Sequence, residues 1–112
     1  MLPEEGHLLR VYLGEADKHG GLPLYEWIVR KAKELGLAGA TVLRGVEGFG
    51  GHHRIHTAKI LDLSSDLPVI VEIVDELEKI EAFLPIIDSV ITDGMATVEK
   101  VQIRLYRSSK SK

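Results

Sequence analysis

The apolar positions of the chain switch between two periods, and the switches mark out its elements. Leu8 to Leu13 is rich in β-formers and apolar through most of its length, as in a strand. Gly20-Gly21 breaks this run. Leu24, Ile28, Ala32 and Leu35 then recur at helical spacing, with Pro23 suited to the first turn and Gly36 to the stop. Strand character returns from Ala40 to Val46, and Thr57 to Leu63 alternates in part. Ser64-Ser65-Asp66 signals a turn before Leu67 to Val74, which has the continuous apolar character of a buried strand. Asp75 with Glu78 forms a D-x-x-E capping pattern for a second helix, whose apolar face is Leu77, Ile80, Leu84 and Ile87. Pro85 is expected to kink or end that helix. After a turn at Thr92-Asp93-Gly94, Thr97 to Tyr106 alternates as a final strand, with Val98, Val101, Ile103 and Leu105 as its core positions.

The order is β-α-β, hairpin, β-α-β. This predicts an α+β, ferredoxin-like βαββαβ sandwich, in which two helices cover one face of a four-stranded antiparallel sheet. Residues 1–112 are expected to form a single domain, with a flexible loop at about 50–66 and a disordered tail at about 107–112. So many strand residues are apolar that the second sheet face is expected to be buried in an oligomer.

Composition narrows the functional classes. A chain of 112 residues can build one core without staples, and small domains often gain stability by assembling. The absence of cysteine excludes disulfides, thiolate chemistry and a zinc finger. A formal charge of −3 argues against a general nucleic-acid binder. No stretch reads as a secretory leader or a membrane span, so a cytoplasmic location is expected, without membrane insertion. The lack of Asn and the presence of one Gln, Gln102, suggest a thermophilic source.

Three features carry candidate chemistry. In Val46-Glu47-Gly48-Phe49-Gly50-Gly51 the glycines permit either a mobile hairpin tip or an anion-binding concavity of backbone N–H groups. The pattern is neither a Walker loop nor a dinucleotide fingerprint. His52, His53 and His56 follow as H-H-x-x-H, which reads as a solvated loop or as a metal site for Zn, Cu or Ni. No nearby carboxylate completes such a site, as Glu47 lies five residues before the cluster and Asp62 six residues after it. Asp93-Gly94 reads as a hairpin turn, but it opens a strand leading to Arg104 and Arg107, and arginine is the preferred bidentate phosphate ligand. His7 and His19 stand alone and are expected to be exposed, while Trp27 is expected in the core or an interface. Serines without a His–Asp pair and a solvated row of Glu76, Glu78 and Glu81 offer no catalytic machinery, so no enzyme is expected.

Taken in order, these motifs resemble the PII-like signalling proteins, and within them a family of unknown function. Where PII proteins have V-K-G-F-G-R-Q-K-G entering the regulatory T-loop, this chain has Val46-Glu47-Gly48-Phe49-Gly50-Gly51-His52-His53. Leu67-Pro68 leading to Val71-Glu72-Ile73-Val74 is similar to the L-P-x-x-x-I-E-I-V-V segment before the second helix. Thr92-Asp93-Gly94-Met95 stands at the B-loop G-D-G-K turn, and Ile103-Arg104 at the terminal R-I-R. His19-Gly20-Gly21-Leu22-Pro23-Leu24-Tyr25 is similar to the family of unknown function.

The resemblance implies a homotrimer with its sheets facing inward and adenine nucleotide (ADP, AMP or ATP) in clefts between subunits. Gly48, Phe49, Gly50 and Gly51 would line the T-loop base. Asp93, Gly94 and Met95 would sit at the phosphates, Arg104 would reach across from the neighbour, and Thr41 would contact adenine. It further implies regulation of a partner protein, a transporter or an enzyme, through the loop. Gly51 and His52 replace the T-loop arginine and glutamine, which speaks against magnesium and 2-oxoglutarate binding as in PII. No tyrosine lies between Gly50 and Leu67, so no uridylylation switch is expected. Met95 in place of the B-loop lysine points towards AMP or ADP over ATP. The alternative is a trimeric metal-binding protein, like the related copper-tolerance proteins, using His52, His53 and His56.

Overall fold

The computed structural model describes residues 3–50, 56–57 and 66–109. Strand β1 (Glu5–Gly14) buries Leu9, Val11 and Leu13 and leaves Leu8, Arg10 and Tyr12 half-buried, a two-residue period that gives the sheet two unlike faces. A two-residue turn at Gly20-Gly21 joins the short strands β2 (Lys18–His19) and β3 (Leu22–Pro23). Both glycines have positive φ, +60° and +80°, the geometry that suits a tight hairpin to strand twist. Trp27 is half-buried behind this hairpin, with the His19 ring edge-on at 4.7 Å.

Helix α1 (Leu24–Glu34) follows with Pro23 as N-cap and Leu24, Ile28 and Ala32 buried. Its end is a Schellman motif: Gly36, at φ +78°, donates to the Lys33 carbonyl, and Leu37 donates to that of Ala32. Leu35 is the C-cap and is half exposed, so the apolar stripe ends one turn earlier than its spacing predicts. Strand β4 (Thr41–Arg44) is short, and β5 (Glu47–Gly48) pairs with β6 (His56–Thr57). The rest of the strand expected at Thr57 to Leu63 lies outside the described residues, as does most of the loop expected at about 50–66.

Strand β7 (Pro68–Asp75) alternates strictly, with Val69, Val71, Ile73 and Asp75 buried. Helix α2 (Leu77–Val90) buries Ile80, Phe83 and Ile87. Phe83, rather than Leu77, fills the core, and Leu77 is exposed at the first turn. The helix runs through Pro85 to Val90. With the proline ring on an exposed position, packing of Phe83 and Ile87 on either side outweighs one missing backbone bond.

Strand β8 (Met95–Gln102) completes the sheet, whose order is β4-β7-β1-β8 with every pair antiparallel. Each βαβ unit therefore leaves a gap that a strand of the other unit fills, and the fold is the α+β ferredoxin-like sandwich. The strand ends at Gln102, four residues before the expected Tyr106. As an edge strand it leaves Val98 partly exposed, and Leu105, beyond its end, is 67 % exposed. The turn at Asp93-Gly94 joins α2 to β8 and is not a hairpin. Among the described residues no helix is long and apolar enough to cross a membrane.

Both helices lie on the face carrying Leu9, Val11, Val71 and Ile73. On the other face, cross-strand partners form rows: Leu43–Ile70–Tyr12–Met95, then Thr41–Glu72–Arg10–Thr97, then Val74–Leu8–Glu99. An entirely polar row thus crosses a face whose neighbouring rows are apolar except for Glu99. At its centre Arg10 donates to Glu72 at 2.9 Å and to Glu99 at 2.5 Å. The Glu72 hydrogen bond, opposed by desolvation and helped by Glu99, raises the Arg10 pKa above its ordinary value, so the cation persists at any working pH.

Asp75 is the one buried charged residue among the described positions. It is not the N-cap of α2: Glu76 holds that position, and the Glu76 side chain makes no capping hydrogen bond. The Asp75 carboxylate instead accepts the Ala38 N–H at 2.8 Å and the Glu76 N–H at 2.7 Å, tying the α1–β4 connection to the end of β7. His7, paired in register with Asp75, is half-buried rather than exposed, and its Nδ1 is enclosed. Asp75→Ala leaves two backbone donors without an acceptor, which is expected to cost about 2–4 kcal/mol of unfolding free energy in urea titrations. A loss below about 0.5 kcal/mol would show that water replaces the carboxylate freely.

Candidate functional site

At one end of the sheet β4 finishes, β7 begins, β1 finishes and β8 begins. This end gathers both glycine motifs. Gly45 donates its N–H to the Pro68 carbonyl at 2.7 Å, and a Cβ on Gly45 would stand 2.8 Å from Pro68 Cγ, so glycine is required for the chain to turn off β4. Gly48 passes the same proline, where a Cβ would lie 3.2 Å from Cγ. The β5–β6 pairing of Glu47 with Thr57 and Gly48 with His56 then closes the base of the intervening loop. Val46 and Phe49 are exposed, by 74 % and 64 %, and put apolar surface where the chain leaves β4.

Where the loop returns, Asp66 accepts the Ala16 N–H at 2.6 Å, and Leu67 accepts the Glu15 N–H at 2.8 Å. Asp17 accepts the Gly14 N–H at 3.0 Å and rounds off the end of β1. Sequence reading took Asp66 only as a turn residue; its position just before the buried strand was the available signal. It missed altogether an ion pair between Arg44 and Glu15 that spans the same end.

Gly94 has φ +152°, and a Cβ there would stand 2.5 Å from the Tyr12 carbonyl oxygen. The turn is therefore pressed onto β1 and must be bare backbone. Beside it a groove of about 470 Å³ runs along the C-terminal half of α2, lined by Leu84, Ile87, Asp88, Ile91, Thr92 and Met95 among others. Met95 is 55 % exposed at the groove's edge.

The two motifs share an end of the sheet but not an edge. Two strands, β7 and β1, separate β4 from β8, a distance of about 14 Å at the usual strand spacing. Arg104 lies beyond the far end of β8, roughly 30 Å from Gly94 along an extended chain. There Ile103 donates to the Glu4 carbonyl at 2.6 Å, and the Tyr106 hydroxyl donates to that of Ala38 at 3.1 Å. Thr41 opens β4 on the outer face, level with Glu72 and exposed. The chain thus presents Gly48, Phe49 and Gly50 at one edge, Asp93, Gly94 and Met95 at the other, and Arg104 at the opposite end. It does not bring them together. Gly51, His52 and His53 lie outside the described residues, and His56 is described only as part of β6. Among the described residues no three His, Cys, Asp or Glu groups are placed to hold a metal ion.

Residues 6–103 match the DUF190 family, described as "Uncharacterized ACR, COG1993". A UPF0166 protein of Aquifex aeolicus is 43 % identical over 96 residues, covering 86 % of this chain and 90 % of that protein. A UPF0166 protein of Methanocaldococcus jannaschii is 40 % identical over 87 residues, covering 78 % of this chain and 80 % of its own. Among solved structures, CPII from Thiomonas intermedia K12 bound to ADP and bicarbonate superposes with a TM-score of 0.59 at 19 % identity, covering 88 % of each chain. A second structure of that nitrogen regulatory PII-like protein, bound to ADP, AMP and bicarbonate, gives 0.60 at 18 % identity with the same coverage. The chain belongs to the DUF190 family, and its fold is that of the PII-like proteins.

Proposed function

We propose that this protein is a non-enzymatic, nucleotide-sensing regulator: a trimer that binds ADP, AMP or ATP in clefts between subunits and signals to a cytoplasmic partner through the loop at about 50–66. The observation that carries this reading is the separation of the two glycine motifs. They stand at the same end of the sheet but on edges about 14 Å apart, so a cleft containing both needs two copies laid edge to edge. The apolar rows of the outer sheet face supply surface for copies to bury against one another. The Thiomonas protein of the same fold was crystallised with ADP, AMP and bicarbonate, which supports an adenine nucleotide as the ligand class.

In such a cleft Gly48, Phe49, Gly50 and Gly51 form one wall. Asp93, Gly94 and Met95 of the adjacent copy form the other, with bare backbone donors aimed at the phosphates. Thr41, on the edge strand, meets the adenine, and Arg104 arrives from a copy whose far end faces the cleft. Met95 contributes no charge, which favours ligands with fewer phosphates. Nucleotide then sets the order of the loop, which docks on a transporter or enzyme.

Calorimetry with ADP, AMP and ATP is expected to show saturable binding, strongest for ADP or AMP; no binding by any of them at millimolar concentration sinks the proposal. Sedimentation is expected to give a species of three chains, and a monomer at micromolar concentration contradicts the shared cleft. Arg104→Ala is expected to weaken ADP binding about tenfold while leaving thermal stability unchanged, as befits an exposed phosphate ligand.

A further inference from the structure

Arg44 ends β4 where the glycine segment begins. Through the sheet register it shares a row with Val69 and Leu13, and the Cβ position of Gly94 lies 3.4 Å from Leu13 Cδ2. Arg44 on one edge and the Gly94 turn on the other therefore stand at the same height. Copies joined edge to edge at that height bring the Arg44 of one to the turn of the next. That turn has Met95 where it has no cation of its own.

Arg44 is engaged by Glu15 within its own chain, with the arginine side chain 62 % exposed and the glutamate 25 % exposed. Exposed ion pairs of this kind contribute little, so a better anion can replace the carboxylate. A phosphate is such an anion, because the guanidinium fork meets it with two parallel hydrogen bonds. Glu15 is also anchored elsewhere, through its backbone N–H on the Leu67 carbonyl, whereas Arg44 sits on a four-residue edge strand. The pair hence straps the entry of the loop, at Arg44, to its exit, at Leu67.

We propose that Arg44 is a phosphate-binding residue of the nucleotide cleft, held by Glu15 until nucleotide phosphate displaces the carboxylate. This rests on the nucleotide reading above and adds to it a cation for the phosphates, which the Met95 turn lacks.

Wild type, Arg44→Ala, Glu15→Gln and the double variant are titrated with ADP and with adenosine, which has no phosphate. Arg44→Ala is expected to weaken ADP binding about tenfold, and Glu15→Gln to tighten it about threefold by removing the competing carboxylate. The double variant is expected to match Arg44→Ala alone, and adenosine affinity to stay the same in all four proteins. Unchanged ADP affinity in Arg44→Ala overturns the assignment. So does a Glu15→Gln gain that persists without Arg44, or an equal loss for adenosine. Those results leave the nucleotide reading standing, whereas a wild type that binds none of ADP, AMP and ATP overturns both.

Discussion

Strand β1 is hydrogen-bonded along both edges, and its two-residue alternation decides what the rest of the molecule can do. Leu9, Val11 and Leu13 commit one face to the helices. Leu8, Arg10 and Tyr12 are thereby committed to the other, and a slip of one residue would exchange the two sets. Because β7 and β8 take their register from β1, the same choice aligns Pro68 and Met95 at one end of the sheet. The glycine segment and the Gly94 turn share a level for that reason, and not through any contact between them.

The same register would also constrain any assembly through the outer face. A purely apolar face would bury against a copy in many positions. The row Thr41–Glu72–Arg10–Thr97 removes that freedom, because sliding it over the row Leu43–Ile70–Tyr12–Met95 would bury ionised groups against hydrocarbon. Arg10 is ion-paired to both Glu72 and Glu99 within its own chain, a group that keeps one net negative charge at the middle of this face. The polar row would thus limit which arrangements of copies are permitted.

Much of this was legible in the sequence. The strands at Leu8 to Leu13 and after Leu67-Pro68 were legible as apolar runs, and the first helix from the spacing of Leu24, Ile28 and Ala32. Phe83 was missed because Ala82, Phe83, Leu84, Ile86 and Ile87 crowd into one stretch of α2, and such a run does not declare which residue faces inward. Val98 was misjudged because alternation reports strand geometry, whereas exposure depends on whether a helix covers the edge strand, and Leu105 because the strand ends at Gln102. Asp75 matched a capping pattern but served the α1–β4 connection instead, a partner 37 residues away that no local pattern reveals. The glycine motifs were legible as backbone positions, but their separation across the sheet, and the Arg44–Glu15 pair between them, depend on the strand order.

The central place of β1 also has a consequence in time. Its first residues pair with the last strand, Glu5 with Gln102, so β1 leaves the ribosome well before one of its partners exists. Through most of synthesis its β8 edge presents unpaired N–H and C=O groups, the template on which strands of other chains add. Closing that edge requires a long-range pairing, which is slow because its loop entropy is lost before its contacts form. A strand that organises the finished molecule is, for the length of its own translation, the most exposed part of it.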